Sequence, residues 1–263
     1  MRRLLPILFL SPALLWAQEG GAPAEEAKKP KPKTAGEVVI DDPGSPVEDP
    51  AVVRKELARF QGAFRKAGKD TTAKVELLRK LGNWDHPSVY KELAKHVKSS
   101  DYLVAVEAVV GCARQSTSKD KAGKLLCKVT AKEKRTNVLC AATVGMGKLG
   151  YDHKSAYKEA EKLFKNDTAE KRLAAARYFG YIKSKPAFRM LAEVLDEPRS
   201  EFDADDPRNQ PASYWKARWE EWSHNVSYYR WALSQIVPDE SFETTAEAKE
   251  WAETQGKELG IEW

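Results

Sequence analysis

Sulfur and imidazole are scarce in this chain: three cysteines, three methionines and four histidines among 263 residues. Cys112, Cys127 and Cys140 form no CxxC or CxxCH arrangement, which removes zinc-ribbon, thioredoxin-like and haem-attachment chemistry. Their odd number leaves at least one thiol without an intrachain partner, and spacing does not decide whether any two pair. Small buried hydrophobe is the role expected of them. His86, His96, His153 and His224 are scattered, with no two at the HExxH spacing that sets a pair of metal ligands on one helix face. His86 and His153 fall at expected helix starts instead. No GxSxG elbow is present to mark a hydrolase nucleophile. Strand signals are also missing, and no apolar run reaches the ~20 residues of a membrane span.

What the chain does have begins with its first seventeen residues, MRRLLPILFLSPALLWA. Two arginines precede an apolar run from Leu4 to Leu15, and Ala17 supplies a small residue at the end, the order of a secretory leader. Pro6 and Pro12 interrupt the run, so cleavage is expected, with retention as an anchor the alternative. The expectation is export to a bacterial periplasm or the cell exterior, with no stable membrane insertion once the leader is cut.

Residues 18–50 concentrate Gly, Pro, Glu and Lys and read as a disordered tether, because they hold too little apolar surface to offset the entropy of ordering. Their only apolar run, Val38 to Ile40, has no strand partner in view. The formal net charge of the chain is +5. Most of the basic excess lies after residue 50, where cations and carboxylates are interleaved, so the field is diffuse and no specific nucleic-acid partner is expected.

From Ala51 onward Leu, Val, Ala, Phe and Tyr recur at three and four, which predicts helices over 50–67, 71–83, 87–98, 101–114, 119–131, 134–149, 154–165, 168–182, 185–196, 211–223, 226–236 and 244–259. Asp167 with Glu170, and Thr244 with Glu247, have the spacing of reciprocal N-terminal caps. Every second helix then repeats. Ala73, Ala105, Ala141 and Ala174 share one position, with offsets of 32, 36 and 33 residues; Leu78, Val110, Met146 and Phe179 share another, and Gly111, Gly147 and Gly180 follow the last three of these. Repetition at that period marks a helical solenoid, in which stacked neighbours cover an apolar stripe that one helix pair leaves open. Small residues at fixed sites predict close helix approach, since an interior glycine otherwise costs ~1 kcal/mol of helix propensity.

The segment DTAEKRLAAARYFGYIKSKPAFRMLAEVLDEP, Asp167 to Pro198, resembles a HEAT or HEAT-like repeat: an Asp opens one helix, an Arg follows, and a short turn leads to a second helix carrying Leu191 and Leu195. The resemblance covers roughly residues 70 to 200. It implies that Asp167 and Arg172 steady the turns between repeats. The segment SDYLVAVEAVVGCARQ keeps Asp101 without the Arg, and KRTNVLCAATVGMGKLG has neither in register. The likeness is one of packing and brings no activity with it.

Several local features invite a sharper reading. Asp203, Asp205 and Asp206 supply oxygen ligands of the kind calcium takes, but the loop lacks a calcium site's turn glycine and distant glutamate, so a solvated linker is expected. Lys154, Lys158, Lys162 and Lys165 form a basic helix stripe, read as a solvated face that Glu161 partly offsets, with a polyanion or acidic partner as the alternative. Asn166 and Asn225 stand in glycosylation sequons, relevant only in a glycosylating host. Trp215, Trp219 and Trp222 recur at four and three, which is core spacing; with Val226, Tyr229, Leu233 and Ile236 on a second helix they predict an aromatic seal over the end of the stack.

The expected fold is therefore all-α: a right-handed alpha-alpha superhelix of HEAT-like or armadillo type, made of stacked helical hairpins. Its expected parts are a signal peptide (1–17), a disordered linker (18–50), helical repeats (51–200) and a Trp-rich helical cap (201–263). The expected function is non-catalytic binding or scaffolding of a protein partner, with no catalytic, cofactor or metal residue assigned and the binding residues and oligomeric state open. Two alternatives stand beside it: a HEAT-like enzyme of the bilin-lyase or DNA-glycosylase kind, and a polysaccharide-binding module that uses surface aromatics.

Overall fold

The computed structural model describes residues 39–40, 42–166, 168–200 and 206–263. The expected leader, the tether as far as residue 38, and Asp167, Asp203 and Asp205 lie outside the described residues, and so does the proposed Asp167–Glu170 cap. What is described is all-α. Eleven α-helices follow one another: α1 (Pro50–Lys66), α2 (Thr71–Gly82), α3 (Pro87–His96), α4 (Tyr102–Ala113), α5 (Lys119–Lys132), α6 (Thr136–Lys148), α7 (Lys154–Phe164), α8 (Ala169–Tyr181), α9 (Phe188–Ala192), α10 (Ala212–Ile236) and α11 (Thr245–Thr254). The strands among the described residues are two-residue pieces, β1 (Ser45–Pro46) and β2 (Trp84–Asp85), paired in parallel.

Local chemistry sets many of the helix starts. Asp49, Asp70 and Asp101 each cap a helix by accepting backbone N–H groups, at Ala51, at Ala73, and at Leu103 and Val104 respectively. Thr244 and Glu247 form the reciprocal cap expected of them. His86 and His153 cap α3 and α7, each accepting at Nδ1 from the serine N–H two residues on, at 3.1 and 3.2 Å.

The even-numbered helices pack in succession, α2 on α4, α4 on α6, α6 on α8 and α8 on α10, while α3, α5, α7 and α9 flank α4, α6, α8 and α10. Covered by neighbours, α6 is buried from Val138 to Gly147 without a break, as a helix apolar all round must be. Ala105, Ala141 and Ala174, which share a position by sequence register, are all fully buried. The glycines of that register sit where helices approach closely. A Cβ on Gly147 would lie 2.9 Å from the Tyr178 Cα on α8, and one on Gly180 would lie 3.0 Å from the Ala232 Cα on α10.

The three thiols are free and buried. Burial pushes Cys112 and Cys140 up to about 12, so neither is a ready nucleophile.

Two expectations need correction. Residues 42–49, assigned to the tether, are laid across the helix ends: Gly44 N donates to Arg114 O at 3.0 Å, Ser45 N to Asn83 O at 2.8 Å and Val47 N to Asp85 O at 3.3 Å. Ile40, 5% exposed, joins the core near Gly145. The segment is held because β2 and the carbonyl after α4 offer its backbone N–H groups partners, which the sequence of the segment itself does not reveal.

The second correction concerns the C-terminal end. The two helices expected over 211–223 and 226–236 are one helix, α10, of 25 residues. No Gly or Pro interrupts it, and Asn225, which marked the expected break, is buried and donates from Nδ2 to Ala169 O at 3.2 Å. An acceptor so enclosed is no glycosylation site in the folded chain. The aromatic seal is made of other rings: Phe188, Phe242 and Trp251 meet with centroids 5.5 Å apart in all three pairs and are each buried.

Candidate functional site

At about 1.5 Å per residue, α10 is roughly twice the length of its neighbours, and only its second half is covered. Its buried residues begin at Asn225; none lies in 212–224. Helix α9 has only five residues, and no other helix among the described residues covers the first half of α10. There the chain after α9, Arg172 of α8 and the uncovered half of α10 enclose a groove of about 330 Å³.

Aromatic and ionic side chains line it in fixed positions. Trp222 donates its indole N–H to Leu195 O at 3.1 Å, and Trp215 donates to Asn209 Oδ1 at 3.0 Å, so both rings are held by their polar edges while their faces stay half-buried. Arg218 lies over the Tyr214 ring, 5.5 Å from its centroid, with Nε donating to the phenol oxygen at 3.2 Å. Tyr229 is buried at the groove's inner end, and burial raises its phenol. Arg172 donates from Nε to Asn166 O at 2.7 Å and approaches Glu221 at 3.0 Å, joining the α7–α8 turn to α10.

Three arginines, Arg172, Arg199 and Arg218, and three carboxylates, Glu193, Asp196 and Glu221, line the groove. The carboxylates are engaged: Glu193 by Arg189 at 2.7 Å, Asp196 by the Thr245 N–H at 3.0 Å, and Glu221 by Arg172. Among the described residues no serine, cysteine or histidine lines the groove. Flat aromatic faces beside guanidinium planes are suited to stacking and to hydrogen bonding with carbonyl oxygens, not to acid–base work.

The other singled-out residues are dispersed. Trp219, expected inside the core, is 46% exposed; the four-and-three spacing does put the three tryptophans on one stripe, but this stretch of stripe has no helix opposite it. Asp206 is taken up by Arg208, whose hydrogen bonds hold its carboxyl below the usual range. No group of three or more potential metal ligands occurs among the described residues. In the lysine stripe Lys162 pairs with Glu159 and Lys165 with Glu161, which leaves the Lys154 end. His96 lies against Phe64, with centroids 4.3 Å apart and the rings tilted, and burial lowers its pKa. Gly145, Gly147 and Gly150 have the GxGxxG spacing of a dinucleotide loop, yet they run through the last turns of α6 and its C-terminal turn instead of opening a helix. No described helix is long and apolar enough to cross a membrane.

The groove was missed in sequence because its parts are spread over α8, the turn after α9 and α10; the one available signal was the density of Trp and Tyr around Trp215. Comparison of the chain with protein-family models, with curated proteins and with solved structures finds no match.

Proposed function

We propose that this chain is a non-catalytic helical-repeat protein, a HEAT-like solenoid acting after export, that binds an extended segment of a partner protein in the groove beside α10. The observation that carries the reading is the uncovered half of α10, which presents Trp215 and Trp222 along a groove with their indole N–H groups already bonded. Pre-placed aromatics lose little side-chain freedom on binding, and aromatic and arginine side chains dominate protein-binding hot spots. The succession of α2, α4, α6, α8 and α10 together with the 32, 36 and 33 residue offsets supports the solenoid.

The test is crosslinking in the source cells followed by affinity capture and mass spectrometry, with the wild-type chain beside a Trp215→Ala, Trp222→Ala pair. A partner enriched with wild type and lost with the pair supports the proposal; identical captures overturn it. A second reading has its own observation, the exposed Trp219 ring, which is placed as a sugar-stacking face would be. Titration of tryptophan emission with cell-wall glycans separates the two, because a shift that Trp219→Ala abolishes would favour the glycan.

A further inference from the structure

A second pocket, of about 420 Å³, lies at the other end of α8, where the turn after α6 meets the turn after α8. Asp152, Lys154 and Tyr157 line it from one side, and Lys183, Ser184 and Lys185 from the other. No ion pair among the described residues engages any of the three lysines, so the pocket carries three cations against one carboxylate. Ser184 is only 7% exposed, its side chain makes no cap bond to the turn it precedes, and it lines the cavity. A hydroxyl that faces a cavity without a bond to its own turn is free to donate to an occupant.

The backbone adds an independent observation. Helices α6 and α8 end in the same way: Tyr151 N donates back to Met146 O at 2.9 Å, and Ser184 N to Phe179 O at 3.0 Å. That closure needs a left-handed residue just before the donor, usually glycine. After α6 it is Gly150, at φ +65°; after α8 it is Lys183, at φ +52° and the single non-glycine residue with positive φ among those described. A lysine here is strained where glycine would be at ease, and strain of this kind is kept where it serves a site.

We propose that this pocket binds a phosphoryl group, free or carried on a larger molecule, with Lys154, Lys183 and Lys185 neutralising its charge and the Ser184 hydroxyl donating to one of its oxygens. Several donors converging from two turns match the several oxygens of a tetrahedral dianion, and a lysine ammonium serves such an anion as a compact charge. The lysine stripe seen in sequence thus contributes one end, Lys154, to a site completed by residues about thirty positions further on.

The experiment is calorimetric titration of the full chain at low ionic strength with inorganic phosphate, glycerol phosphate and acetate, on wild type, Lys183→Gly and Ser184→Ala. Expected are saturable binding of phosphate to wild type, weaker or absent binding of acetate, and loss of about tenfold in affinity in each variant. Lys183→Gly is also expected to raise the melting temperature by about 2–4 °C through relief of the left-handed strain. A higher melting temperature with weaker binding is an outcome that a merely structural lysine would not give. Glycerol phosphate bound as tightly as phosphate means a group carried on a larger molecule is accepted; phosphate alone means the free ion. No saturable heat with wild type, acetate bound as tightly as phosphate, or Lys183→Gly binding like wild type would each overturn the proposal.

Discussion

Arg172 of α8 and Glu221 of α10 meet at 3.0 Å with 17% of each side chain exposed, so the pair that shapes the candidate groove also joins two successive helices of the stack. Glu221→Gln would leave the guanidinium enclosed with a neutral partner. The expected loss is ~1–3 kcal/mol of stability, the cost of leaving a largely enclosed charge without its ionic partner, measured by urea unfolding. An unchanged midpoint would mean that water already serves Arg172.

Trp219→Ala and Trp251→Ala should differ sharply. The first removes a half-exposed ring and should cost no more than ~0.5 kcal/mol, as surface changes do. The second empties the contact among Phe188, Phe242 and Trp251 and should cost ~3–5 kcal/mol. Comparable losses in chemical denaturation would contradict the burial described for the two rings.

Gly147→Ala should destabilise although alanine is the better helix former by ~1 kcal/mol. The new methyl would stand 2.9 Å from the Tyr178 Cα and 3.2 Å from its carbonyl oxygen, atoms of backbone that have little room to retreat, and a net loss of ~1–3 kcal/mol is expected from such overpacking. Gly62→Ala in α1 is the control: nothing lies within 4 Å of the added atom, so that change should stabilise by up to ~1 kcal/mol. Thermal melts of the two variants shifting in the same direction would argue against the close α6–α8 approach.

Acid should weaken the joint between α5 and α6. Glu133 is held down from an ordinary 4.5 to about 2, first by Arg135, which grips it at 3.0 and 2.8 Å, and then by the backbone N–H groups of Lys134 and Arg135. Because the folded value lies below the unfolded one, this contribution is complete above pH 4.5 and is lost as pH falls toward 2. Glu133→Gln should lower stability at neutral pH and flatten the stability profile across that window; an acid limb as steep as wild type would show that other carboxylates govern it.

The helical character and the close helix approaches were legible in sequence because small residues in helix interiors are conspicuous: Ala105, Ala141, Gly147 and Gly180 stand where larger side chains would not fit. The C-terminal end was not. Periodicity reports that Trp215, Trp219 and Trp222 share a stripe, but not whether a partner covers the stripe, and no residue near Ala192 marks where α9 stops. The segment 42–49 was equally hidden, since its partners are carbonyl groups of Asn83, Asp85 and Arg114, and backbone groups carry no side-chain signature. Lys183 escaped for a related reason: lysine does not announce a left-handed turn as glycine does.

The segment running from Ile40 to Val47 has one further consequence. It touches Gly145 and Lys148 at the end of α6, then Arg114 after α4, then Asn83 and Asp85 after α2, crossing three successive layers in reverse order. It thus ties the ends of α2 and α4 by backbone bonds and the end of α6 by an ion pair, and separating those ends would break these contacts. No described bond of this segment reaches α8 or α10. The joint between those two helices rests instead on close helix packing, with Gly180 against Ala232, on the Arg172–Glu221 pair and on the Asn225–Ala169 bond, so it is held by side chains where the earlier layers are also held by a crossing strand of backbone.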